Sequence, residues 1–88
     1  MDVVRIIESS VSTTNSLPYF IATSLDSHIW FNENSGNKIG QITTAGVITE
    51  FAVPTANSGP IGIKAGPDGN LWFSEVSGNK IGKLVPQL

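Results

Sequence analysis

The residues best placed to do chemistry in this chain occur in pairs. Glu33 ends the run Ile29-Trp30-Phe31-Asn32-Glu33, and Glu75 ends the run Leu71-Trp72-Phe73-Ser74-Glu75. A carboxylate repeated once per structural unit can ring the mouth of a channel and hold a cation or a basic ligand. It can equally be a repeated structural contact that accepts backbone N–H bonds from the turn that follows, and the sequence leaves both readings open. Lys38 and Lys80 recur in the same way and read as solvated side chains or partners of a nearby carboxylate. His28 is the only histidine and there is no cysteine, so no multi-histidine cluster, thiolate metal site or disulfide framework forms within one chain. One His far from any marked Ser indicates no Ser-His-Asp arrangement. Gly66-Pro67-Asp68-Gly69-Asn70 lacks the Lys-Ser/Thr and the helix of a phosphate loop. No catalytic residue and no metal ligand is therefore assigned.

The elements that position these residues follow from an internal duplication. Residues 15–42 lie over residues 57–84 at a constant offset of 42 without a gap, and fourteen of the 28 positions are identical, including Ser-Gly-Asn-Lys-Ile-Gly whole. The offset extends to the N-terminus, where Ile6, Glu8, Val11 and Thr13 fall on Ile48, Glu50, Val53 and Thr55. A period of 40–45 residues with several short strands per unit is the signature of a propeller blade.

Four strands per period are predicted: Tyr19–Thr23 with Ile61–Ala65, His28–Glu33 with Asn70–Glu75, Lys38–Ile42 with Lys80–Leu84, and Val47–Val53 with an N-terminal counterpart at Val3–Glu8. Gly66-Pro67-Asp68-Gly69 fits a type I turn, and Ser24-Leu25-Asp26-Ser27 is its weaker copy. Consecutive strand residues point to opposite faces, yet Ile29-Trp30-Phe31 and Leu71-Trp72-Phe73 are apolar throughout. The sheet must therefore be covered on both sides, as stacked blades are, and the Trp-Phe pairs read as blade core. No stretch has 3.6-residue periodicity with caps, so helices are not expected. The expected fold is all-β: a β-propeller of four-stranded antiparallel blades, two blades per chain.

The domain reading is one two-blade unit over 1–88. Residues 1–14 form a fourth strand that closes a neighbouring blade, 15–56 form blade one, and 57–88 form blade two without its own outer strand. Two blades cannot curl into a ring. The ring is expected to close by head-to-tail oligomerisation with exchange of the N-terminal strand. Propellers usually have 4–8 blades, so a dimer, trimer or tetramer is allowed. The trimer is favoured, then the tetramer. A homo-oligomer also answers a problem of size, since a chain of 88 residues buries only about 60% of its unfolded surface.

Composition removes other classes. Five basic and seven acidic side chains give a net charge of −2 with no basic cluster, which excludes a nucleic-acid partner. The apolar runs are too short to span a membrane, so no membrane association is expected. The opening Met-Asp-Val-Val-Arg-Ile-Ile-Glu-Ser-Ser is not a secretory signal, and a cytoplasmic location is expected. A hydrophobic content of 40% excludes wholesale disorder.

The segments NSGPIGIKAGPDGNLWFSEVSGNKIGKL and NSLPYFIATSLDSHIWFNENSGNKIGQI, joined by AGVITEFAVPTANSGP, resemble blades of the virginiamycin B lyase (streptogramin lyase) family. The specific motifs are GPDGNLWF, GNKIG and ITEF-x-x-P. The resemblance implies a bacterial source and a seven-bladed propeller made from one long chain. It also implies cleavage of a cyclic peptide antibiotic by a Mg²⁺-dependent elimination that uses His and Glu at one mouth. In the family a catalytic His follows the Pro that opens a blade. Here Tyr19 follows Pro18 and Ile61 follows Pro60. A family Tyr that lines the substrate site also follows this Pro, and Tyr19 matches it. Glu33 and Glu75 correspond to a metal-associated Glu near the end of the second strand. The candidate ligand-binding residues are therefore Tyr19, Glu33, Ile61 and Glu75, at one mouth. His28 begins the return strand, roughly 15–20 Å from Glu33 at about 3.3 Å per residue.

The favoured reading is a non-catalytic oligomeric propeller, an assembly or binding module for a small-molecule ligand that the residues do not name, without a cofactor. One alternative is a lyase-like enzyme built by oligomerisation, with Mg²⁺ only if activity is retained. Another is a lectin-like carbohydrate binder that uses Trp faces.

Overall fold

Each strand in the computed structural model, which describes residues 4–25 and 27–86, pairs with its neighbour in sequence. The strands are β1 (Pro18–Thr23), β2 (Ile29–Glu33), β3 (Lys38–Ile42), β4 (Ile48–Ala52), β5 (Pro60–Ala65), β6 (Leu71–Glu75) and β7 (Lys80–Leu84). They form two antiparallel meanders, β1-β2-β3-β4 and β5-β6-β7. The described residues contain no helix. None is therefore long and apolar enough to cross a membrane.

Expected and observed strands agree closely. β3 and β7 have the expected bounds, and β2 and β6 each begin one residue late. β4 is shorter than Val47–Val53 because its flanking residues close turns. The Thr43 N–H donates to the Val47 carbonyl at 2.9 Å, and the Val53 N–H donates to the Asn37 carbonyl at 3.0 Å. In the turn after β5 the Gly69 N–H donates to the Gly66 carbonyl at 3.2 Å, the i+3 bond of a β-turn. Gly69 there has a φ of +82°, and Ser27 takes the same place in the first copy at +68°. Of the expected strand Val3–Glu8, Val3 lies outside the described residues. Residues 4–8 form no strand within the single chain, and Val4, Ile6 and Ile7 are exposed.

The duplicated Ser-Gly-Asn-Lys-Ile-Gly has a packing cause at its last residue. Gly40 stands opposite Phe31, and Gly82 opposite Phe73. A Cβ at either glycine would meet the phenyl ring at 2.2 Å. The bare backbone is the seat on which each ring lies.

Residues directly opposite share a face and successive residues alternate. Trp30, Asn32, Ile39 and Gln41 thus occupy the back face of the first sheet, and Phe31, Glu33, Lys38 and Glu50 its front face. In the second sheet Leu71, Phe73, Glu75 and Lys80 form the front face, and Trp72, Ser74, Ile81 and Lys83 the back. The core lies where the first back meets the second front: Trp30, Ile39, Leu71 and Phe73 pack together with Val53 of the connector. Full burial of such a side chain contributes about 1.5–3 kcal/mol. Polar bonds fix the docking. Asn32 Nδ2 donates to the Pro60 carbonyl at 2.9 Å, and Asn37 Nδ2 to the Thr55 carbonyl at 3.0 Å. Asn37 Oδ1 accepts the Ser58 N–H at 3.0 Å and the Ser58 hydroxyl at 2.8 Å.

Candidate functional site

Glu33 closes β2 opposite Pro18 on one side and Lys38 on the other. Its side chain is wholly enclosed, at 0% exposure. The turn after it does not bond its carboxyl. The N–H groups of Asn34, Ser35 and Gly36 donate instead to the carbonyls of Leu17 and Ser16, at 2.9–3.2 Å. Neither Glu33 oxygen receives a hydrogen bond from a described residue. The expected contact with the following turn is replaced because the chain entering the blade uses those donors first.

The group that Glu33 meets is another carboxyl. Glu50 on β4 stands opposite Gly40, on the same face of the sheet. Burial pushes Glu33 up to about 7, and a hydrogen bond to Glu50 and the Glu50 charge add to the rise. Glu50 is held down at about 2, first by its hydrogen bond with Glu33 and then by the hydroxyls of Thr13 and Ser12. Both hydroxyls donate to Glu50 at 2.7 Å. The proton therefore resides on Glu33, which donates it to the ionised Glu50. Lys38 Nζ completes the cluster by donating to Thr13 Oγ1 at 2.8 Å.

The second blade repeats half of this arrangement. Glu75 stands opposite Pro60 and Lys80 and is buried. The N–H groups of Val76, Ser77 and Gly78 go to the carbonyls of Gly59 and Ser58. Lys80 Nζ donates to Thr55 Oγ1 at 2.7 Å, as Lys38 does to Thr13. The carboxyl that would match Glu50 belongs to a fourth strand, which the second sheet lacks among the described residues. Glu75 Oε1 is buried with no hydrogen-bond partner among them.

Tyr19 and Ile61 follow the prolines that register with Glu33 and Glu75, so all four candidates lie at one end of their sheets. Their side chains differ in access. Tyr19 is 56% exposed, its ring 6.5 Å from that of Phe20, and Ile61 is half-buried. Glu75 lines a cleft of about 330 Å³ beside Asn79, Lys80 and Ile81. A second cavity, of about 370 Å³, opens between the sheets, lined by Trp30, Phe51, Phe73 and Leu84 together with the polar His28, Gln41 and Lys83. Its walls come from both blades, so no local sequence signal marks it. The Glu33–Glu50 pair is also invisible to local reading, although Glu8 falling on Glu50 at the repeat offset marks the position. His28 lies at the strand end opposite Glu33, as expected, because β2 pairs Ile29 with Thr23 and Glu33 with Pro18.

Antiparallel meanders stacked face to face, each presenting an apolar second strand to its neighbour, define a piece of a β-propeller. The chain belongs to the virginiamycin B lyase family, whose model matches residues 3–87. It is similar to crystal structures of virginiamycin B lyase from Staphylococcus aureus. One is the selenomethionine-substituted protein, with 49% identity and a TM-score of 0.88, over 90% of this chain and 27% of that one. Another is a catalytically inactive variant with quinupristin, with 48% identity and a TM-score of 0.90, over 94% of this chain and 28% of that one. A streptogramin B lyase structure matches at 44% identity and a TM-score of 0.88, over 90% of this chain and 26% of that one. The chain thus spans about a quarter of the length of these lyases.

The family implies Mg²⁺, a cation that takes ionised carboxylates in octahedral geometry. The described residues gather no group of three His, Asp or Glu able to hold a metal. The Glu33 side chain is enclosed, and the group it meets is the Glu50 carboxyl. The described residues by themselves do not supply a ligand set for the ion.

Proposed function

We propose that the chain is a two-blade propeller unit that assembles head to tail with its own copies, and that the ring so formed is an assembly or binding module without elimination chemistry of its own. One observation carries this reading. The back face that blade one buries is duplicated on blade two and lies open. Trp30 is 3% exposed and Trp72 37%; Ile39 is 2% exposed and Ile81 71%. The front of blade one is correspondingly open at Ile21. Residues 1–14 serve as the exchanged segment, 15–56 as one blade and 57–88 as the next. A heterologous contact that repeats the one inside the chain closes into a ring when the angle allows. Six blades from three chains is the favoured total, with eight from four next.

Tyr19, Glu33, Ile61 and Glu75 then recur around one mouth. Tyr19 and Ile61 offer contact surface there, and the two glutamates hold the blade ends beneath it. Native mass spectrometry of the 88-residue chain at micromolar concentration is expected to give a closed multiple of the chain mass. A stable folded monomer would overturn the proposal.

Family membership favours a second reading: these blades act within a streptogramin lyase ring whose remaining blades supply the His that Tyr19 and Ile61 replace. The mass measurement separates the two: the second reading expects the 88-residue chain by itself to give no closed multiple, because its ring needs blades of different sequence.

A further inference from the structure

The first strand of each blade carries an extra residue at the same place. β1 pairs with β2 as Pro18↔Glu33 and then, one step out of register, as Ile21↔Phe31. β5 pairs with β6 as Pro60↔Glu75 and then as Ile63↔Phe73. Tyr19 and Phe20 therefore both stand opposite Asn32, and Ile61 and Gly62 both stand opposite Ser74. Such a bulge leaves a backbone group without its ladder partner and re-aims the side chains beside it. In both blades the side chain across the strand takes that group. The Phe20 N–H donates to Asn32 Oδ1 at 2.8 Å, and the Gly62 N–H donates to Ser74 Oγ at 3.1 Å. We infer that Asn32 is a positioning residue of the mouth: its amide holds the bulge that sets the Tyr19 and Phe20 rings side by side, and ties that bulge to the residue that opens β5.

Without the extra residue, Phe20 would fall opposite Phe31, and Tyr19 and Phe20 would point to opposite faces, as successive strand residues do. In the structure their rings lie 6.5 Å apart and are tilted by 32°. Beyond the bulge Ile21 takes the place opposite Phe31, and the regular ladder runs on to Thr23. The bulge thus redirects the residues at the mouth and leaves the rest of the strand in place.

Asn32 and Ser74 share this first task, and Asn32 has a second. Its Nδ2 donates to the Pro60 carbonyl at 2.9 Å, where Asn34 Nδ2 joins it at 3.3 Å. Only one orientation of the Asn32 amide serves both contacts, because its oxygen must meet an N–H and its nitrogen a carbonyl. The side chain is wholly buried, and the two bonds satisfy both ends of its amide. Pro60 precedes Ile61 and begins the second bulge. One amide therefore sets Tyr19 of blade one against Ile61 of blade two. The inference goes beyond the assembly reading and does not depend on it, since every bond it uses lies between residues 18 and 75.

Tyr19 is the only tyrosine, so fluorotyrosine labelling gives one fluorine resonance that reports on its ring. Asn32→Ala is expected to shift or split that resonance. It should also speed hydrogen exchange at the Phe20 amide about tenfold, the scale of one lost hydrogen bond. Ser74→Ala removes the equivalent hold in blade two. It is expected to speed exchange at Gly62 and to leave the fluorine resonance where the parent has it, a contrast that a general loss of stability would not produce. Asn32→Ser places the hydroxyl of blade two in blade one, and decides the matter if Asn32→Ala does not fold. Phe20 should stay protected in that variant, while the Ile61 amide resonance, next to the released Pro60 carbonyl, should move. The proposal is overturned by a folded Asn32→Ala with the parent's resonance and exchange, or by a Ser74→Ala that moves the resonance as far. A folded Asn32→Ser with an unprotected Phe20 amide, or with an unmoved Ile61 resonance, also overturns it. Native mass spectrometry reads assembly separately: a monomeric parent overturns the head-to-tail reading, with the fluorine and exchange results still deciding the role of Asn32.

Discussion

Blade one and blade two share half of their residues over 28 aligned positions, yet they differ in what those residues experience. Phe31 and Phe73 are equally buried at 7%, each laid on the glycine across the strand pair. Ile39 and Ile81 occupy equivalent places and differ from 2% to 71% exposure. Contacts within a sheet are thus reproduced by the duplication, and contacts between sheets depend on which neighbour is present. The acidic cluster differs between the blades for another reason, a fourth strand within one sheet. Glu33 has Glu50 beside it because β4 exists, and Glu75 has no such partner among the described residues. Strand and turn geometry is local to each blade, while the surroundings of each site depend on which further strands and sheets lie against it.

Substitution at the paired phenylalanines has the largest expected effect and tests what the blades have in common. Phe73→Ala removes a buried ring from the interblade core, at a cost of about 3–5 kcal/mol. A single core of this size supplies little more than that. Loss of the cooperative thermal transition in circular dichroism is expected. Gly40→Ala and Gly82→Ala come next, because the new Cβ overlaps a phenyl ring in both blades. Each should destabilise by about 1–3 kcal/mol in urea titration. Similar costs at the two sites would sharpen the view that the contact is internal to a sheet, and very different costs would break it.

The carboxyl pair adds a pH test that only blade one should pass. Glu33 is raised in the folded state to about 7, so the folded protein binds the extra proton above the ordinary carboxylate range. Stability from this group is present below the unfolded value and is lost as pH rises toward 7. Glu50 is lowered to about 2, so its contribution is present above the unfolded value and is lost as pH falls toward 2. The urea midpoint should therefore peak near the unfolded carboxylate value of about 4.3 and decline on both sides. Glu33→Gln keeps a donor toward Glu50 and cannot ionise, so the decline between pH 5 and 7 should flatten. An unchanged profile in that variant would remove Glu33 as its source.

The smallest effects concern the hydroxyl links. Thr13→Val breaks bonds to Glu50 and Lys38, and Thr55→Val breaks one to Lys80. Both should cost about 0.5–1.5 kcal/mol, with the larger loss at Thr13. A reversed order in urea titration would contradict the assignment of the fuller cluster to blade one.

How much of this was legible in the sequence follows the same line between local and neighbouring contacts. The strands were readable because turn residues bracket each apolar run, and Lys38–Ile42 and Lys80–Leu84 match the observed strands residue for residue. The common end of Tyr19, Glu33, Ile61 and Glu75 was readable from strand direction alone. The burial of Glu33 was not, since it depends on Glu50 across the sheet and on residues 16 and 17 taking the turn's donors. Nor was the role of Asn37 as a clasp between blades. In sequence it looks like a turn residue, and its φ of +56° agrees, but its side chain reaches the connector at Thr55 and Ser58. The exposure of Trp72 was invisible for the opposite reason: Trp30 and Trp72 are identical in sequence and differ only in what lies against them.

Assembly through the open back face is the central claim, and the sedimentation-equilibrium mass of the Ile81→Arg variant beside the parent chain tests it most directly. Ile81 is exposed in the single chain, so the arginine leaves the fold of each chain intact. The account predicts a parent mass of three chains and a folded variant with the mass of one. A folded monomeric parent, or a variant that assembles as the parent does, would contradict it.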